Sequence, residues 1–146
     1  MSASAQVWFG NVTEDSSFSI LARVCALQGT GEQVFPREGN CLKQADVSSI
    51  TCKVFALGTS KTNPAGTPVS PDPTLTPAAN ILDALETNGW DTESDPAGYN
   101  FRYDINGTSY VPAPGEFYRF EVKFTLTGGG VFPLIVVVKT LPIQTS

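Results

Sequence analysis

The chain has 146 residues, with 14 acidic and nine basic side chains, a formal net charge of −5 and no histidine. That length suits a single domain with a genuine core. The scattered basic residues argue against a cationic nucleic-acid surface and against attraction to an anionic membrane, and without histidine three cysteines cannot complete a four-ligand zinc site.

The N-terminus, Met1-Ser-Ala-Ser-Ala-Gln, lacks a basic segment followed by an apolar run, so no signal peptide is expected. The longest apolar stretch, Val131–Val138, is interrupted by Pro133 and is too short for a helical membrane span. The expectation is a soluble protein made in a cytoplasm. Cys25, Cys41 and Cys52, odd in number and irregular in spacing, argue against a disulfide framework. They read as small apolar fillers in a reduced compartment, with a Cys41–Cys52 bridge left open because a hairpin could bring them together.

In chain order, Val7-Trp-Phe9 reads as a short edge strand. Phe18–Leu27 reads as a strand with Phe18, Ile20, Ala22, Val24 and Ala26 on one face. An irregular stretch runs from Gly29 to about Ala45, and Ser48–Leu57 is the next strand, turning Ile50, Cys52, Val54 and Ala56 inward. Gly58–Asn80 differs in kind: Pro64, Pro68, Pro71, Pro73 and Pro77 lie among Thr, Ser, Gly and Asn. Proline removes ladder donors and fixes φ, so neither a central strand nor a helix is expected there. Its 23 residues are long for a loop, and they read either as an idle, solvated insertion or as an arm that orders on a neighbouring subunit.

Ile81–Leu85 is a short strand or a helical turn, and Asn88-Gly89 a turn before Trp90. Tyr99–Ile105 alternates clearly, with Tyr99, Phe101, Tyr103 and Ile105 opposed to Asn100, Arg102 and Asp104. Asn106-Gly107 and Pro112-Ala-Pro-Gly115 punctuate the route to the most legible strand, Phe117–Leu126, which turns Tyr118, Phe120, Val122, Phe124 and Leu126 to one side. Gly128-Gly-Gly130 makes a hairpin connection to Val131–Lys139. The near-continuous Val, Ile and Leu of that last strand predict burial on both faces, or an outward face covered by a partner.

Asp91-Thr-Glu-Ser-Asp95 spaces three carboxylates as calcium loops do, but Pro96 replaces the expected glycine and no bidentate Glu follows. A solvated acidic turn is the better reading. Asn11-Val-Thr13 and Asn106-Gly-Thr108 match the glycosylation sequon by chance. For catalysis only carboxylates are on offer (Asp83, Glu86, Asp91, Glu93 and Asp95), and no partner is recognisable that would tune a pKa or position a nucleophile. Most aromatics read as core; Trp90 and Tyr110, in turn regions, stand out as contact residues.

The order of motifs carries a resemblance. Ala45-Asp-Val-Ser-Ser-Ile-Thr-Cys-Lys-Val-Phe55 is followed by Ile81-Leu-Asp-Ala-Leu85, Trp90 and Gly98-Tyr-Asn-Phe101. The chain then closes with Pro114-Gly-Glu-Phe-Tyr-Arg-Phe-Glu-Val-Lys-Phe124 and Gly130-Val-Phe-Pro-Leu134. Over roughly residues 15–142 this is similar to the immunoglobulin-like N-terminal domain of phage baseplate upper proteins and related small virion proteins. The insertion at 58–80 departs from that family, and so does the lack of a linker and receptor-binding platform after the domain. The resemblance therefore implies an accessory virion subunit, either a capsid decoration (cement) protein or a neck or tail component, with no catalytic residues to carry over.

The combined expectation is an all-β, immunoglobulin-like antiparallel sandwich of about seven strands in one domain, 1–146, with a long Pro-rich loop. It is expected to be a non-enzyme with no cofactor and no metal. Its partners would be major capsid or tail/baseplate subunits, with homo-oligomers in the assembly and neither nucleic acid nor membrane. The contact residues are Trp8, Pro64, Pro68, Pro71, Pro73 and Pro77, with Trp90 and Tyr110 in turn regions, and the contact segments are 1–12, 58–80 and 140–146. The runner-up is a carbohydrate- or receptor-binding module using Trp90 and Tyr110 with nearby carboxylates. An enzyme of unknown type using the acidic positions comes third.

Overall fold

A computed structural model describes residues 6–13, 16–24, 41–60, 62–63 and 65–142, the side chains of 6–9, 13 and 108 excepted. Its strands in chain order are β1 (Gln6–Thr13), β2 (Phe18–Ala22), β3 (Val47–Gly58), β4 (Thr67–Val69), β5 (Thr74–Leu75), β6 (Ile81–Glu86), β7 (Tyr99–Ile105), β8 (Phe117–Leu126) and β9 (Val131–Leu141). Two single-turn helices, α1 (Pro77–Asn80) and α2 (Gly107–Tyr110), complete the described elements with a 3-10 turn at Gln44–Asp46. None of these helices is long and apolar enough to cross a membrane.

The strands form two sheets. The larger runs β1-β9-β8-β3-β4, with β5 also on β3; the smaller runs β2-β7-β6. Antiparallel pairing joins all neighbours except β1 and β9, which run parallel from Gln6↔Leu134 to Thr13↔Leu141. This is the expected all-β sandwich in immunoglobulin order, with β3, β8 and β9 in one layer and β2, β7 and β6 in the other.

Alternation fills the space between the layers. β8 buries Tyr118, Phe120, Val122 and Phe124, β7 buries Tyr99, Phe101, Tyr103 and Ile105, and β9 contributes Phe132, Leu134, Val136 and Val138. Phe101 meets Phe124 edge-to-face at 5.2 Å between ring centres, and Phe18 meets Phe120 at 6.1 Å in the same manner. Each such fully buried apolar side chain contributes about 1.5–3 kcal/mol relative to exposure. On the outer face of β9, Val137 is buried beside Arg119 while Val131 is 55% exposed, so the expected burial on both faces holds for only part of that strand.

Tyr118 supplies a tyrosine corner: its hydroxyl accepts the Ala113 N–H at 3.1 Å. The buried Thr140 hydroxyl donates to the Ala113 carbonyl and accepts the Glu116 N–H at 3.1 Å, while the Thr140 N–H donates to the Glu116 carbonyl and the Gly115 N–H to the Thr140 carbonyl. The Pro-Ala-Pro-Gly approach to β8 is thereby held against β9.

Three expectations need correction. The strand expected over Phe18–Leu27, β2, ends at Ala22, and residues 25–27 lie outside the described ones. Gly58–Asn80 does form strands and a helical turn: β4 and β5 lie along β3, and α1 starts with Pro77 at its first position, where a missing N–H costs nothing. Thr76 caps that turn by accepting the Ala79 N–H at 3.2 Å. Finally, Cys41 is disulfide-bonded whereas Cys52 is a free, buried thiol, so the two do not pair and the reading of three reduced fillers fails at Cys41.

Candidate interaction site at the edges of the sandwich

Edge strands present unpaired N–H and C=O groups, and proteins that must not associate through them blunt them with proline, charge, bulges or short length. On one side of this sandwich both edges are blunted. β4 and β5 cover β3 through only five residue pairs, from Ala56↔Thr67 to Ile50↔Leu75. Between the two strands, residues 70–73 pass opposite Cys52 and Lys53 without pairing, and this bulge carries Pro71 and Pro73. Pro73 and Leu75 turn into the protein; Pro68 and Pro71 face solvent. The neighbouring edge of the smaller sheet is β6, which pairs with β7 only at Ile81↔Phe101 and Glu86↔Tyr99 and bows out between them. Asp83 on that bow accepts the Gln44 N–H at 2.8 Å, so the 3-10 turn leans against β6.

The opposite side is built differently. β1 reads Gln6-Val-Trp-Phe-Gly-Asn-Val-Thr13 and β2 reads Phe18-Ser-Ile-Leu-Ala22, with neither charge nor proline in either. Among the described residues β1 pairs only with β9 and β2 only with β7, which leaves one edge of each strand open. Between these edges lies an apolar groove of about 340 Å³, walled by Val12, Phe18, Ile20, Val136 and Val138 with Gly10 at its rim.

One side chain decides where β2 stops. Asn100, 1% exposed, accepts the Val24 N–H at 2.7 Å and donates to the carbonyls of Val24 at 3.0 Å and Leu42 at 2.8 Å. Leu42 N–H also reaches the Val24 carbonyl, at 3.0 Å. The carboxamide thus pairs with Val24 as a neighbouring strand would, and β2 leaves the β7 ladder at Arg23. Arg23 then pairs with Asp95 at 2.7 Å and donates to the Gly98 carbonyl at 3.2 Å. Gly98 is required here: its φ is +99°, and a Cβ would sit 2.3 Å from the Glu86 carbonyl oxygen.

The acidic loop is consumed by its own architecture. Asp91 accepts the N–H groups of Glu93 and Ser94 and the Ser94 hydroxyl, and those bonds hold its carboxyl below the usual range. Asp95 is lowered first by the Arg23 hydrogen bond and then by the Ala97 N–H. Asp104 is lowered by the Ser19 hydroxyl and by Arg102. Among the described residues no three of His, Cys, Asp and Glu converge on a point where a metal ion could sit. Burial pushes the Cys52 thiol up to about 12, with Asp72 and Glu121 adding to the effect, and a thiol so held is a poor nucleophile.

The sequence candidates scatter over this frame. Trp8 lies in β1 opposite Val136, its side chain outside the described set, as is Pro64. Pro68 sits in β4 opposite Phe55, Pro71 and Pro73 in the bulge, and Pro77 at the start of α1, so these prolines line the blunted side. Trp90 is half-buried; its ring packs 5.6 Å from Tyr99 and its N–H donates to the Asp95 carbonyl at 3.0 Å. Tyr110 is half-buried against the core. Trp90 and Tyr110 thus both serve intramolecular contacts. Sequence reasoning missed Asn100, Arg23 and Thr140. For Asn100 a signal existed: a carboxamide in a strand otherwise flanked by aromatics. The chain matches no family model, no curated protein and no solved structure.

Proposed function

We propose that this protein is a non-enzymatic structural subunit of a virion, docking on a capsid or tail lattice through the open β1–β2 side of its sandwich. The observation that carries docking is the contrast between the edges: one side is blunted by proline, bulge and charge, the other is uncharged and flanks an apolar groove. The virion setting is supported by the motif order from Ala45 to Leu134, which resembles that of small phage virion proteins. A non-catalytic role fits the carboxylates, since Asp91, Asp95 and Asp104 are each tied up in loop or strand hydrogen bonds. Affinity at one such edge is modest, and repetition over a lattice multiplies it.

Mass spectrometry of density-purified particles from a lysate containing this protein tests the reading. The protein should co-purify at a fixed ratio to the major capsid or tail subunit. Its absence from particles, with the protein abundant in the free fraction, overturns the proposal.

A further inference from the structure

We infer that the free edge of β1 is a self-pairing surface: two copies of the chain join β1 to β1 antiparallel about a two-fold axis, fusing their larger sheets into one. The inference rests on the docking reading above and divides that side: the β1 edge takes a second copy, and the β2 edge remains for the lattice.

A strand turns the polar groups of alternate residues to opposite sides, so about four of the eight β1 residues face away from β9 with nothing described to satisfy them. A second copy is the occupant that covers two open edges in a single isologous contact. Charge permits it as well. Each chain carries −5, which opposes association across most of its surface, but β1 has no ionisable residue. With Gln6 opposite Thr13 of the other copy, no like charges face one another, and Glu14-Asp15 falls beyond the paired span. The other edge of the same sheet cannot pair in this way, because its strands are three and two residues long and separated by the proline bulge.

The test is spin-label distance measurement on the full chain, with labels at Asn11→Cys and, separately, at Thr67→Cys, both positions being exposed. Cys52 is buried and stays unlabelled. Fully overlapped β1 strands put the two Asn11 positions roughly 11 Å apart, so the labels should report under about 25 Å. The Thr67 labels are four strand spacings from β1 in each copy and should report roughly 40 Å or more. Sedimentation of the unmodified protein should show a concentration-dependent dimer, and Gly10→Lys should weaken it at least ~10-fold, since a side chain at Gly10 meets no atom of its own fold and puts like charges at the joint. Short Thr67 distances with long Asn11 distances overturn the pairing. So does a monomer at every concentration up to about 0.5 mM. A monomer found in purified particles would sink the self-pairing alone and leave the virion reading standing.

Discussion

The two sides of this sandwich meet the same physical problem with opposite solutions. Where β3 and β7 run out of neighbours, the chain spends the twenty residues from Thr67 to Glu86 laying β4, the 70–73 bulge, β5 and β6 against them. Where β9 and β7 run out on the other side, it lays down β1 and β2, and among the described residues nothing pairs with their far edges. On the reading proposed above, an edge is closed where pairing would be harmful and kept open where pairing is used.

The comparison breaks most severely at Asn100. Asn100→Ala deprives Val24 N–H and the Leu42 carbonyl of their partner in a buried place, and should cost about 3–5 kcal/mol in urea unfolding. A loss under about 1 kcal/mol would mean that β2 ends at Ala22 for some other reason. The covered edge is sharpened by Cys52, which lies behind the bulge. An unfolded thiol ionises near 9.0 and the folded one at about 12, so the folded pKa is raised. Its stabilising contribution is complete below pH 9 and is lost as pH climbs toward 12, by up to ~1.4 kcal/mol per pH unit. Cys52→Ala should flatten that alkaline decline, and alkylation of native Cys52 at pH 8 should be slow; rapid alkylation would show the edge standing open.

Pro68→Thr with Pro71→Thr restores two N–H groups to the closed side. It should change stability by less than about 1 kcal/mol while producing species larger than dimers in sedimentation. If sedimentation is unchanged, proline is not what closes that edge. The smallest effect concerns Arg23 and Asp95, where the folded carboxyl is depressed below 3.8. Its contribution is present above the unfolded pKa and is lost as pH falls through the folded one. Arg23→Met should therefore shallow the acid limb of stability below about pH 4; an acid limb as steep as in the parent would show that the pair contributes nothing.

Much of the frame was legible in the sequence. β7 and β8 have the boundaries that their alternation predicts, and β9 only adds Thr140 and Leu141. Period-two patterning reports local exposure on two faces, and these strands lie where one face meets a core. Pairing across distant sequence is what it cannot report. The prolines of 67–75 hid two edge strands, since a strand with one free side tolerates residues that a central strand does not. The end of β2 depended on Asn100, 76 residues beyond Val24. The parallel docking of β1 on β9 joins the two ends of the chain, and no local pattern in Val7-Trp-Phe9 announces it. At the candidate site, Trp90 reads from the sequence as a contact residue, and in the fold its N–H is taken by the Asp95 carbonyl. The open edge itself was invisible, because its property is a lack of neighbours among the described residues.

Amide hydrogen exchange, compared between about 1 μM and about 500 μM protein, tests the unequal edges most directly. Concentration should slow exchange within residues 6–13 and leave 67–75 unchanged. Slowing at 67–75, or at neither segment, would contradict the account.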